Sequence, residues 1–223
     1  MSYKESYTEQ LRENFLKYTR KAFKSLPKIE KPRILDLGCG SGLLSIELAD
    51  LTDGNITAID IDQSLLDQLN EKLIERGLLG RIKTKNMNLL QNDFPDNFFD
   101  LIWEEGVVQI IGFKKSFEAC HRILKVGGYL VLGQAIKGMN KNKDLITKCG
   151  FELIEQLNWP KNCWWSEFYK PLEEKIQEIH EGKENPTLFK DIDAIQTEIK
   201  MVKTKPNDFN CAHYILRKRG EKS

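Results

Sequence analysis

The chain has 223 residues, 40% hydrophobic and 30% charged, which is typical of one large globular domain or one domain with a small cap. Its 34 lysines and arginines nearly balance its 33 aspartates and glutamates. It therefore lacks the basic excess of most duplex-binding proteins, and we expect no nucleic-acid partner. The five cysteines form no CxxC pair, and no apolar run resembles a signal peptide or a membrane span. We expect a cytoplasmic protein with reduced thiols, no metal site and no membrane partner.

The N-terminal segment, residues 1–29, is predicted to be a helix that precedes the main domain. Across residues 3–26 apolar side chains recur at helical spacing among charged ones, which indicates an amphipathic helix. Pro27 and Pro32 bracket a short linker after it.

Residues 30–157 alternate between strand and helix patterns. We predict strands at 33–37, 56–60, 81–86, 99–103, 129–132 and 151–157. One helix starts at Leu43, a second is capped by Asp62 and ends at Gly77, and a third lies near residues 114–124. The alternation predicts an α/β fold, a Rossmann-like doubly wound sheet with helices on both faces and ligands at the carboxyl ends of its strands.

The C-terminal third departs from this rhythm. Residues 158–209 carry helical patterns at 171–180 and 186–202, and residues 210–216 form a last strand pattern before the tail. We predict a helical insertion at 158–209 that caps the substrate side. Residues 210–223 then return to the core as its last strand and tail.

A glycine-rich turn follows the first predicted strand. Gly38, Gly40 and Gly42 permit a tight turn and close approach of a ligand, and the helix after them offers free N–H groups. The spacing is G-x-G-x-G, which differs from the G-x-G-x-x-G of dinucleotide-binding proteins. Asp36, two residues before the first glycine, would repel a pyrophosphate and suits a cationic ligand. Asp60, at the end of the second strand, is placed to accept hydrogen bonds from ribose hydroxyls.

Four segments in this order resemble the motifs of the class I S-adenosylmethionine-dependent methyltransferases. They are residues 34–42 (ILDLGCGSG), 59–62 (IDID), 94–102 (FPDNFFDLI) and 124–130 (LKVGGYL), the last with Val126 where relatives have proline. The resemblance covers roughly residues 30–135. It implies S-adenosylmethionine as the cofactor, and a mostly parallel sheet whose one antiparallel strand would be residues 210–216.

The resemblance also implies which residues hold the cofactor. Asp36, Gly38, Cys39 and Gly40 would face its methionine part, and Asp60 its ribose. Ile61 would pack on the adenine, with Asn88 and the backbone N–H of Met87 at its edge, and the backbone of Glu104 would approach the amino group. Where relatives often carry a histidine after the fourth strand, this chain has Gln109.

Candidates for a proton-accepting side chain are two glutamates and three histidines. Glu104 and Glu105 follow the fourth strand, where the cleft should lie, so we predict that one of them faces the substrate. His121 is predicted to lie on a helix away from the strand ends, and nothing in the sequence favours His180 or His213.

A tryptophan-rich segment, residues 159–169, contains three of the four tryptophans. Aromatic side chains this dense either line a substrate pocket, with Trp164, Trp165 and Tyr169 as its members, or pack the insertion against the sheet. Cys163 lies among them, but no base is recognisable beside it.

The sequence favours a methyltransferase that transfers its methyl group in line to a small-molecule acceptor. The alternatives are an RNA or protein methyltransferase and an NAD-type dinucleotide-binding oxidoreductase. The tetrapeptide Asn-Pro-Pro-Tyr of many base-modifying enzymes is absent after the fourth strand, and the glycine spacing and Asp36 argue against a dinucleotide. The oligomeric state is not predicted.

Overall fold

The structure is a computed structural model, which describes residues 7–183, 185, 189 and 192–220. Seven strands form one sheet in the order β3-β2-β1-β4-β5-β7-β6. They are β1 (Arg33–Leu37), β2 (Asn55–Asp60), β3 (Ile82–Asn86), β4 (Phe99–Glu105), β5 (Leu124–Ala135), β6 (Phe151–Asn158) and β7 (Cys211–Lys218). The five strands β3, β2, β1, β4 and β5 pair in parallel in that order, and β7 runs antiparallel to β5 and β6. The predicted Rossmann-like sheet with one antiparallel strand is confirmed.

Ten α-helices are described, with short 3₁₀ turns and one π-helix between them. They are α1 (Tyr7–Arg12), α2 (Leu16–Lys24), α3 (Leu43–Leu51), α4 (Gln63–Arg76), α5 (Val108–Ile111), α6 (Phe113–Ile123), α7 (Ile136–Lys141), α8 (Lys143–Lys148), α9 (Lys170–His180) and α10 (Ile192–Thr204). The 3₁₀ turns span Glu13–Phe15, Leu89–Gln91 and Pro206–Phe209, and the π-helix spans Trp165–Tyr169. Among the described residues, no helix has both the length and the apolar character needed to cross a membrane.

Local signals set the ends of α4. The side chain of Asp62 accepts hydrogen bonds from the backbone N–H groups of Ser64 and Leu65, which is the N-cap arrangement predicted for it. Gly77 ends the helix in the left-handed conformation, φ 67°, and its N–H bonds to the last turn. Both predicted ends are confirmed.

Several predicted boundaries shift. The predicted helix at 3–26 is interrupted by the 3₁₀ turn at Glu13–Phe15, and residues 3–6 lie outside the described part. β4 continues to Glu105, and β5 begins at Leu124 rather than 129. The short helices α7 and α8 were not predicted. Of the predicted helix at 186–202, the structure describes α10, while residues 186–188 and 190–191 lie outside the described part.

Two hydrophobic cores cover opposite faces of the sheet, because alternate strand residues point to opposite sides. Leu35 and Ile59 belong to one core, and their neighbours Ile34 and Ala58 to the other. A third cluster joins the N-terminal helices to the C-terminal insertion. Its buried members are Phe15, Trp159, Cys163, Phe168, Tyr169, Leu172, Ile176, Ile179, Phe189, Ile199 and Val202. This cluster places α1 and α2 over the carboxyl ends of the strands.

Candidate functional site

The glycine turn leaves β1 and enters α3 at the carboxyl edge of the sheet. Gly38, Gly40 and Gly42 all have positive φ, 73°, 53° and 90°, a conformation that L side chains rarely adopt. The backbone N–H groups of Gly38 and Cys39 donate to the Ile59 carbonyl at 2.8 and 3.0 Å, which ties the turn to β2. A Cβ on Gly38 would lie 2.1 Å from Val107, whereas at Gly40 it would meet open space. The turn is therefore closed on the protein side at Gly38 and open at Gly40.

Asp36 lies at the base of this turn and is buried. Its Oδ2 accepts a 2.5 Å hydrogen bond from Ser45, while its Oδ1 is buried without a partner among the described residues. Burial raises the pKa of Asp36 to about 7, against a smaller opposing effect of the Ser45 hydrogen bond. An orphaned carboxylate oxygen beside a cavity is a site for a hydrogen-bond donor or a cation.

The residues predicted to hold the rest of the cofactor meet at the ends of β2 and β3. Asp60 accepts from the N–H of Gly40 at 2.8 Å and from that of Asp62 at 2.9 Å, so it also holds the glycine turn. Ile61 is 73% exposed beside it. The N–H of Met87 donates to the Asp60 carbonyl at 2.9 Å, so that donor is engaged by β2. The Asn88 side chain accepts from Leu90 and caps the 3₁₀ turn, which occupies part of its acceptor capacity.

A cavity of about 780 Å³ opens next to the turn. The strand ends and loops contribute Asp36, Gly38, Cys39, Gly40, Ser41, Glu105, Gly133 and Gln134. The N-terminal helices and the insertion contribute Glu9, Arg12, Phe15, Thr19, Trp159, Trp164 and Tyr169. Glu9 links helix α1 to the glycine turn and to α4, because its Oε1 accepts from Ser41 at 2.6 Å and pairs with Lys72 of α4.

Glu104 is fully buried and does not line the cavity. Its carboxylate accepts from the backbone N–H groups of Val107 and Val108 and from the side chain of Gln134. Burial raises the pKa of Glu104 to about 7, against the opposing effect of these hydrogen bonds. In this geometry the Glu104 side chain fixes the loop after β4 and keeps Val107 in place beside Gly38. Its predicted roles toward cofactor and substrate stay predictions.

Glu105, the next residue, points to the other face of the sheet and lines the cavity. Its Oε1 accepts from Trp103 at 3.0 Å, from Thr19 at 3.2 Å and from the ring of His213 at 2.9 Å. Burial alone would raise the pKa of Glu105, but the hydrogen bonds that its carboxylate accepts from His213, Trp103 and Thr19 outweigh it and lower the pKa.

His213 reaches Glu105 across β5, which lies between their strands. Gly133 pairs with both residues in register, and a Cβ there would lie 2.8 Å from Glu105 Cγ. The indole N–H of Trp159 donates to His213 Nδ1 at 3.0 Å. Because an indole nitrogen only donates, Nδ1 accepts and the ring proton sits on Nε2, facing Glu105.

Comparison with known proteins agrees with this geometry. The family described as "Methyltransferase domain" matches residues 34–128, which contain the glycine turn, Asp60 and both glutamates. Residues 34–128 form a class I S-adenosylmethionine-dependent methyltransferase domain.

Two curated relatives of this methyltransferase domain are similar in sequence. The sterol 24-C-methyltransferase erg-4 of Neurospora crassa is 32% identical over 97 residues, 43% of this chain and 26% of that protein. The ubiquinone/menaquinone biosynthesis C-methyltransferase UbiE of Yersinia pestis is 34% identical over 103 residues, 45% of this chain and 41% of that protein. The chain thus spans less than half the length of these curated relatives.

The whole methyltransferase fold also matches solved structures. The [4+2]-cyclase SpnF superposes with a TM-score of 0.72 at 19% identity, over 97% of this chain and 83% of that one. This likeness shows the fold alone, and the name of that neighbour is that of a cyclase, so the reaction must be argued from the site.

Some aromatic side chains of the tryptophan-rich segment line the cavity, and others do not. Trp159, Trp164 and Tyr169 line the cavity. Trp165 does not line it and lies with its ring 4.9 Å from the Lys203 ammonium. Cys163 is buried, and burial raises the pKa of its thiol to about 11, which disfavours a thiolate.

The three histidines occupy different places. His121 packs edge-on against Phe151 and does not line the cavity, and His180 lines a separate surface groove. His213 alone of the three contacts a cavity carboxylate. Sequence reasoning did not single out His213 or Thr19, because their contacts with Glu105 join residues 108 and 86 positions apart. Among the described residues, no group of three or more His, Cys, Asp or Glu side chains is placed to hold a metal ion.

Proposed function

We propose that this chain is an S-adenosylmethionine-dependent methyltransferase that acts on a small-molecule acceptor. The observation that carries the proposal is the unpartnered Oδ1 of Asp36, a buried residue that lines the cavity together with Gly38 and Gly40. A buried carboxylate oxygen without a partner is costly unless a ligand satisfies it. The ammonium of the cofactor's methionine part is such a ligand.

The remaining residues fit the same group. Gly40 leaves the open space that a ligand backbone needs, and Asp60 retains lone pairs beyond the two backbone N–H groups it accepts. Ile61 offers an exposed apolar surface for an adenine ring. When bound, the cofactor would supply a methyl group on a positively charged sulfur. The chain's part is to hold and orient the two reactants and exclude water.

A small acceptor is favoured by the shape of the cavity. A volume of about 780 Å³ lies within the range of pockets for small molecules and cofactors. Helix α1 and the aromatic residues of the insertion line its walls, which suits an acceptor with an apolar body. RNA or protein acceptors, and a dinucleotide in place of the cofactor, are outcomes that the experiment separates.

Isothermal calorimetry with S-adenosylhomocysteine, and NAD as the comparison ligand, tests the cofactor. We expect binding of the first and none of the second. Asp60→Ala should weaken binding by about 10- to 150-fold, the equivalent of lost hydrogen bonds to a charged group. Asp67→Ala, which removes an exposed carboxylate on α4, is the matched control and should leave the affinity unchanged.

Methyl transfer is then tested with cofactor labelled on the methyl group and three acceptor sets: small molecules, bulk RNA and unfolded protein. Label in small molecules supports the proposal. Transfer to RNA or protein instead would overturn the small-molecule acceptor, and binding of NAD without S-adenosylhomocysteine would overturn the whole proposal.

A further inference from the structure

Glu105 is a carboxylate of the cavity wall whose position is fixed by hydrogen bonds. Its Oε1 takes all three of its hydrogen bonds, from Trp103, Thr19 and His213. Oε2 has no partner among the described residues, and 29% of the side chain is exposed toward the cavity. A fixed carboxylate with one free oxygen is a receptor for a hydrogen-bond donor or a cation.

The charge of this carboxylate is not cancelled by its histidine. Trp159 holds His213 as the neutral tautomer, since a protonated Nδ1 would face the indole N–H. Glu105 therefore receives a hydrogen bond from His213 while keeping its net negative charge. With three hydrogen-bond donors on one oxygen, Glu105 is a weak base and a stable anion.

Aromatic faces complete this half of the cavity. Phe15, Trp159 and Trp164 line it, with the rings of Phe15 and Trp164 centred 4.5 Å apart. Aromatic faces attract cations and cover apolar bodies. Among the described lining residues Arg12 is the basic one, and it is exposed at the wall formed by α1, with its guanidinium 5.8 Å from the Phe168 ring.

We propose that the methyl acceptor is an amine with an apolar or aromatic body, and that its nitrogen sits against Glu105 Oε2. This inference rests on the proposed methyltransferase function and names its substrate class. His213 and Trp159 are positioning residues, because they act through Glu105.

The charge balance of the reaction favours this acceptor. The amine would react in its neutral form, after any proton that it carries has passed to solvent. Its lone pair would form the new N–C bond while the S–C bond of the methyl group breaks, and the electron pair of that bond would stay on sulfur. The positive charge therefore passes to the nitrogen, next to Glu105, where a preorganised anion stabilises the transition state. A phenolate or a carbanion would bring a negative charge toward Glu105 and would be repelled.

The test uses three probes of similar shape, 2-phenylethylamine, 2-phenylethanol and phenylacetate, added to protein saturated with S-adenosylhomocysteine. Calorimetry should show that the wild type binds the amine at least tenfold more tightly than the alcohol or the acid. Glu105→Gln, whose amide oxygen can still accept from Trp103, Thr19 and His213, should abolish this preference and leave S-adenosylhomocysteine binding within twofold.

Asp208→Asn is the matched control. Asp208 also lines the cavity, but both its oxygens accept from Lys137 at 2.7 Å, so its replacement should leave the amine preference intact. Labelled methyl transfer across aryl and alkyl amines, phenols and activated carbon acids gives the second readout, with amines expected as the acceptors.

Equal binding of amine and alcohol, tighter binding of the acid, or an undiminished preference in Glu105→Gln would each overturn the amine proposal. So would failure of every amine in the series to bind. These outcomes differ from failure of the methyltransferase proposal itself, which would show earlier as absence of S-adenosylhomocysteine binding to the wild-type protein.

Discussion

Replacing Gly38 with alanine tests how the glycine turn is held against the loop after β4. The new Cβ would lie 2.1 Å from Val107 Cγ2 and 3.4 Å from its Cβ, in a backbone with φ 73°. Val107 cannot retreat easily, because its N–H is bonded to buried Glu104. We expect about 1–2 kcal/mol for the left-handed conformation and about 1–3 kcal/mol for the overlap, a loss of about 2–5 kcal/mol in the free energy of unfolding.

Gly40→Ala is the control that separates the two terms. Its φ is 53°, but the added Cβ would meet no atom within 4 Å, so only the conformational cost of about 1–2 kcal/mol should appear. That Cβ would enter the cavity, so Gly40→Ala should weaken S-adenosylhomocysteine binding by more than its stability loss suggests. Gly38→Ala should therefore lose more stability than Gly40→Ala, and Gly40→Ala should lose more affinity for S-adenosylhomocysteine than Gly38→Ala.

A double substitution identifies the atoms responsible. Val107→Ala removes the methyl groups that the Gly38→Ala Cβ would strike, so the pair should be more stable than the sum of the single effects predicts. We expect a coupling of about 1–3 kcal/mol, measured by urea unfolding of the four proteins followed by circular dichroism. Additivity within about 0.5 kcal/mol, or equal destabilisation by the two single alanines, would refute the contact between Gly38 and Val107 as the cause.

Three further substitutions test other parts of the site. With the pKa of Asp36 at about 7, the ionised fraction of its carboxyl group rises about tenfold between pH 6 and 8. The affinity for S-adenosylhomocysteine, whose ammonium meets this carboxylate, should rise about tenfold across that interval. In Asp36→Asn the affinity measured by calorimetry should not change with pH over the same range. Glu9→Gln should lower the free energy of unfolding by about 1.5–3 kcal/mol, because it removes the charged partner of a hydrogen bond from the buried Lys72 ammonium. Lys28→Ala, in an exposed pair, should change urea unfolding little. Trp165→Phe should leave ligand affinities within twofold in the same titrations, because Trp165 lies outside the cavity, and a larger loss would place it in the site.

The parallel core was predictable because its signals are local. A buried strand, a glycine turn and a capped helix each lie within a few residues of sequence, as the Asp62 cap and the Gly77 end of α4 illustrate. The antiparallel last strand was expected from the family resemblance rather than from local pattern, and the strand order was not predicted. Helices α7 and α8 escaped prediction because each has six residues, too few for a helical period to be recognised.

The walls of the cavity were harder to predict, because their contacts join distant parts of the chain. Glu9 meets Ser41 and Lys72, and His213 meets Glu105 across a strand that supplies only a glycine. No periodicity signals such contacts, since each partner alone has the composition of an ordinary helix or strand. The dense tryptophans were noticed, but the sequence could not say which rings face the cavity and which, like Trp165, lie outside it.

The neighbouring glutamates illustrate how strand geometry gives two adjacent residues different surroundings. The sequence placed Glu104 and Glu105 together after the strand, whereas β4 includes both and so directs their side chains to opposite faces. Glu104→Ala would leave the backbone N–H groups of half-buried Val107 and buried Val108, and the buried amide of Gln134, without their acceptor, so it should cost about 2–6 kcal/mol in urea unfolding. Glu105→Gln keeps an acceptor oxygen and should change stability little, while removing the preference for an amine. If the two substitutions had the same effects on stability and on amine binding, the division between a residue that holds the loop and one that meets the acceptor would be wrong.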